Sequence, residues 1–358
     1  MAATTIAEVN AEPLTVALTE PFGIATGAQS TAENVLVELR LEDGTMGIGE
    51  AAPFPAVNGE TRDGALEAVA EARAALVGED ATRFRRLADI LREACSAPTA
   101  RCALESAVLD AFTRRAGVSL LAFFGGRETA LTTDITVVTG SPDHAARATE
   151  RAKAQGFTTL KVKVGGGAVE HDVARITAIL DVMPEARLVL DANGAFDVDQ
   201  GAHLVEQIGA GRIALFEQPT PGGDLDALRS FRKRTRVRVA ADEIARSAAD
   251  VAMIAAMRAA DVVNVKISKC GVVEAADMIA AARGYSLGLM IGGMVETPLA
   301  MTVSACLAAG HGGFDFVDLD TPLFMKDIPM EGGFRQIGPH LDLSHIERGH
   351  GVVVTRRG

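Results

Sequence analysis

The amino-acid sequence predicts an α/β protein: a parallel barrel of strand–helix units preceded by a smaller α+β domain. From Leu131 onward, short apolar strands alternate with amphipathic segments at intervals of roughly 25–30 residues, about eight times, a count that indicates a barrel rather than an open sheet. Before Leu131, strand-like alternation gives way to helical periodicity. The length of 358 residues exceeds a typical single domain, and nearly half the residues are apolar, enough for a sizeable core. The expected division is 1–126 for the α+β domain, completed by a tail from about 325 to 358, and 127–324 for the barrel.

In the first domain, Leu14–Leu18, Asn34–Leu41 and Met46–Glu50 alternate in the strand manner. Glu42-Asp43-Gly44-Thr45 joins the last two as a hairpin. Two segments read as long loops that could close over a site: Glu20–Thr31, rich in Gly, Ala, Ser and Thr, and Pro53–Thr61. Helices are expected at Gly64–Leu76, Arg83–Cys95 and Thr99–Ala116. The last carries an apolar stripe at 3.6 spacing and is stopped by Gly117.

The candidate barrel strands are Leu131–Val138, Thr159–Val164, Arg187–Leu190, Ala214–Phe216, Val237–Ala241, Val262–Ile267, Leu287–Gly292 and Phe314–Leu319. Gly165-Gly166-Gly167 lacks the GxGxxG nucleotide fingerprint and reads as a turn.

The net charge of −12 argues against a nucleic-acid partner. No apolar run reaches transmembrane length and the N-terminus lacks signal-peptide character, so a cytoplasmic protein without a membrane partner is expected. Cys95, Cys102, Cys270 and Cys306 have no zinc spacing and read as reduced, buried thiols. A homo-oligomer is left open.

Chemistry concentrates at the strand ends, where barrels of this kind carry their functional groups. Lys161 and Lys163 share one face of the second strand. They are either a solvated edge or a pair in which each charge lowers the other's pKa toward a usable base. The third, fourth and fifth strands end in Asp191, Glu217 and Asp242. Three carboxylates gathered at one rim require a cation, and hard oxygen donors suit one Mg²⁺. On the sixth strand, Asn264, Lys266 and Ser268 share the inward face, which favours Lys266 over Lys269. Lys163 and Lys266 would then flank the metal from opposite sides. A Mg²⁺-bound carboxylate acidifies its α-hydrogen through an enediolate, and two opposed lysines can invert that carbon by a 1,1-proton transfer.

With these residues the chain resembles the enolase superfamily, in particular its muconate-lactonizing subgroup, over nearly its whole length. The resemblance implies a modified (β/α)7β TIM-like barrel under an N-terminal α+β capping domain, with Glu20–Thr31 and Pro53–Thr61 as the closing loops. It implies that Lys163 and Lys266 are the acid/base pair and that Lys161 holds the substrate carboxylate. Asn193 and Glu243 would orient the ligands, while Thr136 and Glu296 would line the pocket. Asp318-Leu319-Asp320 resembles the signature of dipeptide epimerases, where two carboxylates hold the free ammonium of the substrate.

The expected activity is epimerisation of a dipeptide at its C-terminal residue. The rival readings are an N-acylamino acid racemase, an o-succinylbenzoate synthase, and a Schiff-base barrel lyase. Relatives acting on dipeptides that end in glutamate carry a basic residue in the first loop. Here that stretch, Phe22–Gln29, is neutral, and Ile24, Phe54 and Val57 favour a neutral or apolar second residue, with Glu60 leaving room for a cationic one.

Overall fold

The computed structural model describes residues 3–25 and 27–355. Met1, Ala2, Thr26 and residues 356–358, which the sequence reading had placed in the first domain, its first loop and the tail, lie outside the described residues.

The chain begins with β1 (Ile6–Ile24), β2 (Gly27–Leu41) and β3 (Met46–Ala51), an antiparallel sheet in that order. A one-turn helix, α1 (Pro55–Asn58), follows, then α2 (Arg62–Leu76), α3 (Phe84–Ala94), α4 (Pro98–Ala116) and the short α5 (Leu120–Phe123). Val35, Val37 and Leu39 of β2 bury one face of the sheet against Ala68 and Val69 of α2 and Leu104 and Val108 of α4. Helix α4 lies so close to β3 that a Cβ at Gly49 would stand 2.0 Å from the Ala103 carbonyl oxygen, so only glycine fits there.

The expected loop Glu20–Thr31 is corrected by the structure. Phe22 pairs with Gln29, Gly23 with Ala28 and Ile24 with Gly27, so the segment is the far end of a long hairpin. Its small and polar residues carry little strand propensity, and pairing with the neighbouring strand overrides it. Pro53–Thr61 is likewise not a free loop, since its middle is α1.

A short β4 (Ala130–Thr132) leads into the barrel, whose strands are β5 (Ile135–Val137), β6 (Thr159–Lys163), β7 (Arg187–Asp191), β8 (Ile213–Glu217), β9 (Val239–Ala241), β10 (Val262–Val265), β11 (Gly288–Ile291) and β12 (Phe316–Val317). All pair in parallel, in sequence order. Between them run α6 (Pro142–Ala154), α7 (Val169–Val182), α8 (Val198–Ile208), α9 (Leu225–Thr235), α10 (Ala248–Met257), the one-turn α11 (Ile267–Cys270), α12 (Val272–Gly284) and α13 (Pro298–His311). No helix intervenes between β12 and the tail beyond a 3-10 turn, which matches the (β/α)7β pattern. The two ends of the curl meet through Asp134 N, which donates to Val317 O at 2.9 Å, and Leu319 N, which donates to Thr133 Oγ1 at 2.9 Å. The predicted strand Leu131–Val138 is thus two strands: β4 leaves the barrel to pair with the tail strand His340–Asp342.

Strand period sets the layers of the barrel. Val189, Leu215, Ala240, Val262, Met290 and Phe316 form an apolar plug inside it. Leu188, Leu190, Val263 and Val265 face out to the helices. Two residues beyond the plug, on the same inward faces, stand Asp191, Glu217, Asp242 and Asn264.

Acids of the first domain fasten it to the barrel. Glu50, on β3, accepts from Thr297 N at 3.0 Å, Thr297 Oγ1 at 2.5 Å and Ala300 N at 3.1 Å at the start of α13. Glu105, on α4, accepts from Val273 N at 2.9 Å at the start of α12. Both are helix N-termini with unsatisfied amides and a favourable dipole. The tail adds a third tie, His350 N to Asp110 at 3.1 Å. The four cysteines are free and buried. Among the described residues, no helix is long and apolar enough to cross a membrane.

Candidate active site

The predicted residues converge at the C-terminal rim of the barrel. Lys163 Nζ lies 2.7 Å from Asp191 Oδ2 and 3.2 Å from Asn193 Oδ1. On the sixth barrel strand's side, Lys266 Nζ lies 2.6 Å from Asp242 Oδ2 and 3.6 Å from Glu217 Oε1. Lys161 Nζ stands between three carboxylates: Asp318 at 2.6 Å, Glu217 at 2.8 Å and Asp191 at 3.0 Å. Buried Arg175 of α7 anchors the end of β6, donating to the Lys163 carbonyl at 2.6 Å and the Val138 carbonyl at 2.7 Å. A Cβ at Gly292 would stand 3.0 Å from Lys266 Cε, so that glycine keeps the lysine's path clear.

The backbone is strained where the acids are aimed. Asn193 and Gln218 adopt φ of 45° and 34°, a region that costs a non-glycine residue free energy and clusters at functional sites. Asn193 N donates to Asp191 Oδ1 at 3.0 Å, and its Nδ2 donates to Glu243 Oε1 at 3.1 Å. Gln218 Oε1 accepts from Asp242 N at 2.9 Å, a link from β8 to β9 that the sequence did not reveal.

Electrostatics correct one expectation. Burial works against charge on Lys161, but Asp318, Glu217 and Asp191 outweigh it and hold the ammonium well above the usual lysine range. Lys266 is raised in the same way, against its burial, by Asp242 and Glu217. Neighbouring carboxylates, not the like charge two residues away, dominate here. Glu217 is pushed up to about 7 by burial and by Asp191.

Lys269 corrects the strand-parity argument. β10 ends at Val265 and the chain turns into α11, so a helical spacing replaces a period of two. Lys269 is buried, and its Nζ donates to the Asp242 carbonyl and carboxylate at 2.6 Å each and to Asn264 O at 3.0 Å.

Asp318 and Asp320 follow β12. Asp320 Oδ2 accepts from Thr136 N at 2.5 Å. Beneath them lies Asp134, which the sequence reading passed over although it shares a face with Thr136. The carboxyl oxygens of Asp134, Asp318 and Asp320 come within 4.8 Å of one another. Glu296 turns back on its own loop, where Oε1 accepts from Met294 N at 3.0 Å, and burial pushes it up to about 7.

The cleft over this rim is walled by Phe22 and Ile24 of the hairpin tip and Phe54 and Val57 at α1, with Met294 and Val295 opposite. Thr139 N donates to Gly23 O at 3.2 Å and docks the tip on the barrel. Glu60 accepts from Thr99 Oγ1 at 2.5 Å and Thr99 N at 3.2 Å at the start of α4, and it lines a cavity beside the rim together with Val57, Asp242, Glu243, Lys269 and Met294.

The donor set fits a hard divalent cation. Asp191, Glu217 and Asp242 come from adjacent strands β7, β8 and β9, and Asp191 pairs directly with Glu217 in register. Glu217 Oε2 is buried and stands 2.8 Å from Lys161 Nζ, outside hydrogen-bond geometry. Each acid is in contact with at least one lysine ammonium, a stand-in for positive charge at the same oxygens.

Fold and site together define a capped (β/α)7β-barrel enzyme with lysines and acids ringing one mouth. The chain belongs to the enolase superfamily: it matches the mandelate racemase/muconate lactonizing enzyme N-terminal domain over residues 6–125 and the enolase C-terminal domain-like family over residues 143–357. It is 48% identical over 352 residues to an aromatic dipeptide epimerase of Herpetosiphon aurantiacus, covering 98% of this chain and 99% of that one. Its structure is similar to the substrate-liganded L-Ala-D/L-Glu epimerase of Bacillus subtilis, with a TM-score of 0.95, 29% identity, and coverage of 99% and 100%. A dipeptide epimerase of Enterococcus faecalis V583, complexed with Mg and L-Leu-L-Tyr, gives a TM-score of 0.93 at 30% identity, with coverage of 97% and 99%.

Proposed function

We propose that this chain is a Mg²⁺-dependent, cytoplasmic dipeptide epimerase that inverts the α-carbon of the C-terminal residue, with an apolar or aromatic side chain preferred there. The observation that carries the reading is the placement of Lys163 and Lys266 on β6 and directly after β10, across the barrel from each other, with Asp191, Glu217 and Asp242 between them. Asp191, Glu217 and Asp242 would hold Mg²⁺, which when bound offsets the substrate carboxylate and acidifies the neighbouring α-hydrogen.

Once their carboxylates are engaged elsewhere, Lys163 and Lys266 would be free of the acids that hold Lys266 protonated and could face the α-carbon, the neutral amine removing the proton and the ammonium delivering one to the opposite face. Lys161, already a fixed cation, holds the substrate carboxylate. Asp318 and Asp320 hold the ammonium. Asn193 and Glu243 keep Asp191 oriented. Phe22, Ile24, Phe54 and Val57 offer the side chain an apolar wall and exclude water.

The test is incubation with Mg²⁺ in D₂O of L-Ala-L-Phe, L-Ala-L-Glu, L-Ala-L-Lys and an N-acylamino acid, scoring deuterium at the α-carbon by mass spectrometry. L-Ala-L-Phe should exchange fastest, and EDTA should stop it. Exchange of the acylamino acid with no dipeptide exchanging would sink the reading.

A further inference from the structure

The carboxyl cluster at Asp134 has more acceptors than its surroundings use. Asp134 N donates to Val317 O at 2.9 Å, and a carboxyl oxygen of Asp134 lies within 4.8 Å of those of Asp318 and Asp320. Asp318 Oδ2 is engaged by Lys161, and Asp320 Oδ2 by Thr136 N. Asp134 Oδ1 and Asp320 Oδ1 are buried and have no hydrogen-bond partner. Lys161, the cation that touches this trio, is already divided among Asp318, Glu217 and Asp191. Buried acceptors without partners and acids short of positive charge both point to a cationic ligand.

We propose that Asp134 is a specificity-determining residue for the dipeptide's ammonium, the third carboxyl of a three-point seat completed by Asp318 and Asp320. This rests on the dipeptide reading above. Three oxygens no farther than 4.8 Å apart leave a point about 2.8 Å or less from all of them, the length of an N–H···O bond to a charged group. A primary ammonium has three N–H donors, and a buried one needs an acceptor for each. Burial, with Asp318 and Asp320 beside it, pushes Asp134 well above the usual carboxylate range, and burial with Asp318 pushes Asp320 up to about 7. A bound ammonium relieves both.

The experiment compares Asp134→Asn with the parent enzyme on two Mg²⁺-loaded substrates, L-Ala-L-Phe and N-propionyl-L-Phe, which differ in the ammonium group. Deuterium uptake at the α-carbon registers even slow turnover, and inhibition of dipeptide exchange by the propionyl compound measures its binding. The variant should lose roughly tenfold or more in kcat/KM for the dipeptide, mostly through KM, so that the preference for dipeptide over propionyl compound shrinks by that factor. An equal fall for both compounds, in exchange or inhibition, would reduce Asp134 to a structural role, and an unchanged preference would overturn the proposal. Asp134→Ser repeats the comparison should Asp134→Asn fail to fold, as judged by circular dichroism. Lack of dipeptide exchange by the parent enzyme would instead defeat the functional reading itself.

Discussion

At the strand ends, Lys161, Lys163, Lys266 and Lys269 each touch a carboxylate within 2.7 Å. Across the cleft, Phe22, Ile24, Phe54 and Val57 present no polar side chain at all. The two walls differ in how they are specified. The charged wall is over-determined, because moving one member leaves a buried charge without a partner, at a cost of several kcal/mol. The apolar wall makes non-directional contacts on a hairpin tip and a one-turn helix, and volume-conserving changes there cost little. On the proposed reading, the chemistry lies in the first wall and the choice of C-terminal side chain in the second.

Changes to the charged wall should therefore stop the reaction, and changes to the apolar wall should redirect it. The largest effect is expected for Lys163→Ala and Lys266→Ala, each lowering epimerisation by about a thousandfold or more. Each variant should keep α-proton exchange from at most one of L-Ala-L-Phe and L-Ala-D-Phe in D₂O. Full epimerisation by either would break the comparison at its base. Next comes Lys269→Met, which releases Asp242 without touching substrate and should weaken Mg²⁺ binding by about 10–100-fold in a metal titration of exchange rate. An unaltered metal requirement would show that Lys269 serves α11 alone. Ile24→Arg tests the other wall. It should shift the ratio of L-Ala-L-Glu to L-Ala-L-Phe turnover by about tenfold toward glutamate while leaving the metal titration unchanged. A loss of both activities would mean that the tip also positions the acid/base groups.

The smallest effect on turnover is expected for Glu105→Gln, at the base of the cap. Burial pushes Glu105 up from 4.5 to about 7. The folded protein then keeps a proton that the unfolded chain releases, so stability falls as pH rises between those values and levels off above. The substituted amide has no proton to lose, and the variant should gain on the parent between pH 5 and pH 8, by about 3 kcal/mol at most. Urea unfolding at both pH values measures it. A stability difference that is the same at both would leave Glu105 outside the proton balance.

Much of the charged wall was legible because inward positions recur every second residue. Asp191, Glu217 and Asp242 each stand two places beyond an apolar plug residue, and Lys161 and Lys163 show the same period. The reading failed where that period stops. Lys269 lies on a helical turn that starts one residue after Lys266, so counting by twos sent it outward. Asp134 is a different case: it keeps the period with Thr136 but precedes its strand, in the kink where β4 departs to pair with the tail, and its partners Asp318 and Asp320 are distant in sequence. The hairpin tip was read as a loop because its pairing depends on a partner strand rather than on its own composition. The surroundings of Lys161 were out of reach for a related reason: Asp318 is 157 residues from Lys161, and its effect appears only once the ring is closed.

Glu50 and Glu105, locked onto the first amides of α13 and α12, bear on how a ligand enters. With the cap held at two helix ends, the contacts free to part are local ones: the tip at Gly23, docked on Thr139 N, and the one-turn α1, which ends at Gly59. On the proposed reading these same residues wall the cleft, so a sequence change that retunes substrate preference should also alter how fast the cleft opens.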